Sequence, residues 1–189
     1  MSDPAPDQSR SSAARSPRAI ILFLALFMVA LAADLGLKAW SFRHVPDHGI
    51  TLVPRVLSLR LTRNEGAIFG AMQGQKWFFV AASIAAAGLI VYFFGQSGRR
   101  EYATHAALSL ILAGAMGNLH DRLVEGSVRD MLMLFPDVHL PWGLRWPGGA
   151  SELYPWIFNL ADVFLLVGIS LILLRSIFER PIQRPPSEG

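Results

Sequence analysis

The 189-residue chain contains no cysteine, which excludes disulfides, thiolate nucleophiles, cysteine-ligated zinc and iron–sulfur clusters. Charge is scarce as well: Asp, Glu, Lys and Arg make up 16% of residues, against about 25% in soluble globular domains. G-x-S-x-G, H-E-x-x-H and glycine-rich phosphate loops are also missing, so serine hydrolase, zinc peptidase and nucleotide-binding readings have no foothold. The histidines His44, His48, His105, His120 and His139 are dispersed, and neither a metal nor a cofactor is expected. What is abundant is apolar: 52% of residues are hydrophobic and the mean hydropathy is +0.39. Such a composition belongs to a membrane protein. The net charge of +3 and pI near 9.8 then reflect topology, and no nucleic-acid partner is expected.

Length predicts one domain. Residues 1–18, rich in Ser, Pro, Ala and Arg, read as a disordered cytoplasmic tail. Four apolar runs, at about 19–42, 77–94, 103–119 and 156–174, are each long enough to cross or nearly cross a hydrocarbon layer about 30 Å thick. They make residues 19–178 a four-helix transmembrane domain, all-α in class, with a cytoplasmic tail at 179–189. Lys and Arg are about twice as dense in the tails and the 95–102 turn as in the other loops, which puts both termini on the cytoplasmic side. The first run also resembles a cleavable signal peptide with Ala30-Leu31-Ala32 as its cut site, but apolar residues continue through Trp40. Between the first two spans, 57–62 alternates apolar and polar residues, predicting a small β-sheet element at the outer, periplasmic surface. The loop from 123 to 155 holds Trp142 and Trp146 with several prolines, and Trp156 borders it, a mix suited to the headgroup level.

Ionisable side chains in hydrocarbon cost about 2.5–3.5 kcal/mol each on insertion scales, so their positions are informative. Asp34 stands roughly 22 Å along the first span at 1.5 Å per residue, near the outer face. Asn118, Asp121 and Arg122 end the third span, and Asn159 and Asp162 open the fourth. All converge on one membrane face. Asn118-Leu119-His120-Asp121 and Asn159-Leu160-Ala161-Asp162 repeat one pattern whose Asn and Asp share a helix face. Asp34 and Lys38, at i and i+4, form a structural pair. Two neighbouring carboxylates share a proton, one serving as base on water while the other polarises a carbonyl, which is aspartyl peptide hydrolysis. The repeated pattern points to Asp121 with Asp162 as the dyad, and to Asp130 next. The competing class is a small membrane assembly factor or proton-coupled carrier, whose carboxylates belong at the membrane midplane.

Taken together, Asp34-x-x-x-Lys38, Asn64-x-Gly66-Ala67-x-Phe69, Gly117-Asn118-x-x-Asp121-Arg122, Val128-x-Asp130 and Phe158-Asn159-x-Ala161-Asp162 resemble lipoprotein signal peptidase, the signal peptidase II family, over residues 19–178. The resemblance implies a monomeric, multi-pass inner-membrane aspartyl endopeptidase with a periplasmic active site. It would cut prolipoproteins before the diacylglyceryl-modified cysteine, act among membrane lipid, and be sensitive to globomycin. It also implies that the catalytic aspartates are Asp130, in the outer loop after the third span, and Asp162. Asn64, Gly66, Asn118, Asp121, Arg122, Asn159 and Ala161 would line or brace the substrate site. Met131 stands where the family usually has Phe, and 131–157 exceeds the family's usual connection. Asp137 in that stretch is an alternative dyad member, and Glu65 a candidate substrate contact.

Overall fold

The computed structural model describes residues 12–66 and 74–178; Ala67 and Phe69 of the second motif, and most of both expected tails, lie outside them. Four α-helices are present among the described residues: α1 (Pro17–His44), α2 (Lys76–Gln96), α3 (Tyr102–Val124) and α4 (Leu160–Phe178). Among the described residues α1, α2 and α4 are long and apolar enough to cross a membrane. Helix α3 is less apolar because it is the central helix, packed against the other three. Its buried face carries Ser109, Gly114, Gly117, Asn118 and Asp121.

Packing in such a bundle relies on close van der Waals contact, so small residues mark the closest approaches. A Cβ at Gly117 would strike the Asp34 carboxylate, and one at Gly114 would strike the carbonyl oxygen of Ala161. These two glycines let α1 and α4 reach α3 where the polar residues collect. At the opposite end an apolar cluster of Ala13, Ala19, Phe23, Ile90, Phe94, Leu108 and Leu112 holds α1, α2 and α3 together. Residues 12–18 of the expected tail are part of this packing. The Ser12 hydroxyl donates to the Gly95 carbonyl, Ala13 N donates to Ser97 O at 2.9 Å, and Ser16 with Pro17 opens α1 as cap and first residue.

The sheet is larger than the single element expected between the first two helices. Strands β1 (Ile50–Val53), β2 (Leu57–Asn64), β3 (Val128–Leu134) and β4 (Ile157–Phe158) form one antiparallel sheet in that order, so half of its strands follow α3. The 57–62 alternation does become strand, within β2. Asp130 accordingly lies on β3, not in a loop. The fourth helix starts at Leu160, not 156, because Ile157 and Phe158 pair with Met133 and Leu132 of β3. Met131 is fully buried against Val45 and Leu59 beneath the sheet, so the family's usual Phe is replaced by another core residue.

Candidate active site

Strand alternation divides β3 between two tasks. In the β2–β3 register Asn64 faces Val128, Arg63 faces Arg129 and Thr62 faces Asp130. Successive side chains point to opposite faces, so Arg129 and Asp130 enter different surroundings.

Arg129 turns toward the end of α3. Its Nη2 lies 2.8 Å from Asp121 Oδ1, its backbone N–H donates to Asp121 Oδ2 at 2.9 Å, and Glu125 lies 3.7 Å away. The hydrogen bonds that the Arg129 guanidinium donates to Asp121 raise its affinity for its proton further. Lys38 Nζ is 2.8 Å from Asp34 and 3.5 Å from Asp121, all three fully buried. Two carboxylates and two cations thus close a neutral cluster, the arrangement that makes buried charge tolerable. Asp121, half of the pair favoured by the repeated pattern, is enclosed in it and has no free face for a substrate. Its other neighbour, His120, is exposed, with Nδ1 at 3.4 Å.

Asp130 turns the other way. It is 2% exposed, and its oxygens accept from Asn159 Nδ2 at 2.6 Å and Asn64 Nδ2 at 3.2 Å. Burial first, and then the negative charge of Asp162, push its carboxyl up to about 7. Asp162 accepts from Asn118 Nδ2 at 2.9 Å and Asn159 N at 3.2 Å, while its own N–H donates to Asn159 Oδ1 at 3.1 Å. The reciprocal Asn159–Asp162 bonds are a capping box that starts α4, and the helix dipole favours negative charge there. Asp34 Oδ1 takes the next orphan donor, Ala161 N, at 2.9 Å. Asp162 is more open than Asp130.

Two asparagines connect the halves. Asn118 Oδ1 accepts from Lys38 Nζ at 3.1 Å and from Asn159 Nδ2 at 3.1 Å, while its amide serves Asp162. Arg122 braces the margin: it donates to Asn118 O at 3.3 Å and Gly66 O at 3.2 Å and lies 4.7 Å above the Phe79 ring. Gly66 N donates to Asn64 Oδ1 at 3.0 Å, turning the chain after β2.

The structure therefore brings Asp130, Asp162, Asn64, Asn118 and Asn159 into one network, with Arg122, Gly66 and Ala161 at its edge and Asp34, Lys38 and Asp121 behind it. Asp137 is apart from them, exposed in a turn at φ 62°, and Glu65 is exposed. No three His, Asp or Glu side chains among the described residues are grouped to hold a metal ion. Arg129 was missed because no spacing rule links it to Asp121. Reading 128–134 as strand would have set it opposite Asp130.

The chain is similar to several known proteins. A family model described as signal peptidase (SPase) II matches residues 26–178. A lipoprotein signal peptidase from Latilactobacillus sakei is 32% identical over 86% of this chain and 98% of its own length. One from Symbiobacterium thermophilum is 32% identical over 82% and 93%. A solved structure titled a bacterial membrane enzyme by the in meso method aligns with TM-score 0.65 at 25% identity, over 89% of this chain and 94% of that one. The assembly-factor and carrier alternative gains no support from these relatives. The chain belongs to the signal peptidase II family.

Proposed function

We propose that the protein is the aspartyl endopeptidase that removes signal peptides from prolipoproteins, cutting before the diacylglyceryl-modified cysteine, with Asp130 and Asp162 as its catalytic pair. One observation carries the assignment: Asn159 bridges the two carboxylates, its side-chain amide donating to Asp130 and its backbone N–H to Asp162, and the hydrogen bonds described for both come from amide N–H groups, not cations. With Asp130 pushed up to about 7, the shared proton resides there near neutrality. Asp162, the more open of the two, takes a proton from water as that water attacks the scissile carbonyl. Asp130 donates its proton to the carbonyl oxygen, and the tetrahedral intermediate collapses as Asp162 passes its proton to the leaving nitrogen and a gem-diol hydroxyl returns one to Asp130. Asn64, Asn118 and Asn159 fix both carboxylates, and Arg122 with Gly66 braces the edge. No metal or cofactor enters the scheme.

The same reading makes α3 a fourth membrane crossing. It is long enough at 23 residues, and its polar residues face three other helices instead of lipid. Both termini then lie in the cytoplasm of a bacterium's inner membrane, with the sheet and the site at the periplasmic face, acting as a monomer on lipid-anchored substrate and open to globomycin. The test uses protein purified in detergent with a diacylglyceryl-modified prolipoprotein. Asp130→Asn and Asp162→Asn are each expected to abolish cleavage while remaining folded; turnover by both variants would sink the assignment. A topology tag at residue 98 that reads as external would reverse the orientation.

A further inference from the structure

The stretch between β3 and β4 is a built hairpin. Leu153 N donates to Val138 O at 2.7 Å, Leu140 N to Ser151 O at 2.8 Å, and Trp146 N to Ala150 O at 2.8 Å. Trp146 Nε1 donates to Glu152 O at 3.0 Å, and Arg145 closes the turn on Gly149 O at 3.1 Å. The hairpin returns the chain to the sheet through a run of aromatic rings. Successive centroids from Trp146 to Trp156, Tyr154 and Phe158 are 4.8, 5.1 and 6.1 Å apart, each meeting edge to face. Phe158 stands opposite Leu132. Leu132 is two residues beyond Asp130, so both rows share the sheet face that carries Asp130.

Tyr154 lies in the electrostatic field of the second aspartate as well: burial, and then the negative charge of Asp162, push its phenol up. All four rings are half-buried. They therefore present partly open aromatic surface instead of filling a closed core, and Phe158 ends the ladder one residue before Asn159.

We propose that this ring ladder is one wall of the substrate channel, with Tyr154 a specificity-determining residue that packs against apolar side chains of the signal peptide next to the scissile bond. The inference rests on the peptidase reading and adds which part of the chain touches the peptide. A peptide is favoured because the ladder continues the sheet face that presents Asp130 to a peptide bond. Large flat rings with few rotatable bonds lose little entropy when they hold such a side chain.

The test compares diacylglyceryl-modified prolipoproteins that differ only in having Leu or Ala at each of the three positions before the modified cysteine. Tyr154→Ala in the full chain is expected to change the Leu-to-Ala ratio of kcat/KM at one of these positions by about tenfold, chiefly through KM, whereas Tyr154→Phe keeps it within about twofold. Tyr154→Leu, which preserves apolar volume without a ring, supplies the measurement should the Ala variant not fold. A third arm shortens the acyl chains, and wild type and variant are expected to respond equally. A folded variant with an unchanged ratio overturns the proposal, and so does a change that follows acyl length alone. Failure of the peptidase reading looks different: wild type would not cleave, or Asp130→Asn would.

Discussion

The Asn-Leu-x-Asp pattern occurs at the end of α3 and again at the start of α4, and the two copies have opposite fates. In α3 the aspartate, Asp121, sits at the helix C-terminus, where the dipole opposes negative charge. There it is matched by Lys38 and Arg129. In α4 the aspartate, Asp162, sits at the N-terminus, where the dipole favours it, and is held by amides. One carboxylate is neutralised into the framework; the other keeps its lone pairs available beside Asp130. Position along a helix, more than the motif itself, separates an acid locked among cations from one held by amides.

That contrast can be broken experimentally, beginning with the pair proposed to be catalytic. Asp130→Asn and Asp162→Asn should each lower kcat by about 10³-fold or more, measured by prolipoprotein cleavage, with thermal stability retained. In the neutral cluster Lys38→Met should instead cost about 3–5 kcal/mol of stability by stranding buried carboxylates, measured by denaturation in detergent, with turnover per folded molecule within about tenfold of wild type. Complete loss of turnover in a fully folded Asp121→Asn would reverse the two roles.

Protonation sharpens the comparison further. With Asp130 up at about 7, kcat/KM should fall about tenfold per pH unit above that value as the acid is lost. Stability follows the same sign. The Asp130 carboxyl titrates near 3.9 in an unfolded chain and near 7 in the fold, so its contribution is complete below pH 4 and is lost as pH rises through 7. The difference in melting temperature between wild type and Asp130→Asn should shift against wild type across that window; a flat difference would remove the uncompensated burial inferred for Asp130. The smallest effect belongs to the solvent-facing pair Arg63 and Glu125, 3.3 Å apart. Arg63→Ala should cost no more than about 1 kcal/mol, vanishing at high salt.

Much of this was legible beforehand. Long apolar runs marked α1, α2 and α4, since hydropathy is the dominant signal for a lipid-facing helix, and the alternation at 57–62 marked β2. β3 was hidden: Val128, Arg129, Asp130 and Met131 are all buried, so the strand shows no polar and apolar rhythm to read. With β3 unseen, Arg129 could not be matched to Asp121, and the repeated pattern alone points to Asp121, which the structure encloses between Lys38 and Arg129. Only the family resemblance moved the choice to Asp130. The hairpin from 135 to 156 read as a loop because prolines, glycines and backbone bonds between distant residues, not periodic side chains, define it.

Asn118 and Asn159 have a consequence beyond geometry. Side-chain amides neither gain nor lose protons across the physiological range, and these two link the Lys38 cluster to the carboxylate pair by hydrogen bonds. They transmit position and electric field while interrupting any relay of protons. A membrane enzyme that keeps titrating acids at one surface and buried charges beneath them risks becoming a leak for the ion gradient across its bilayer. Amides at that junction hold the carboxylates in place without offering a titrating step of their own.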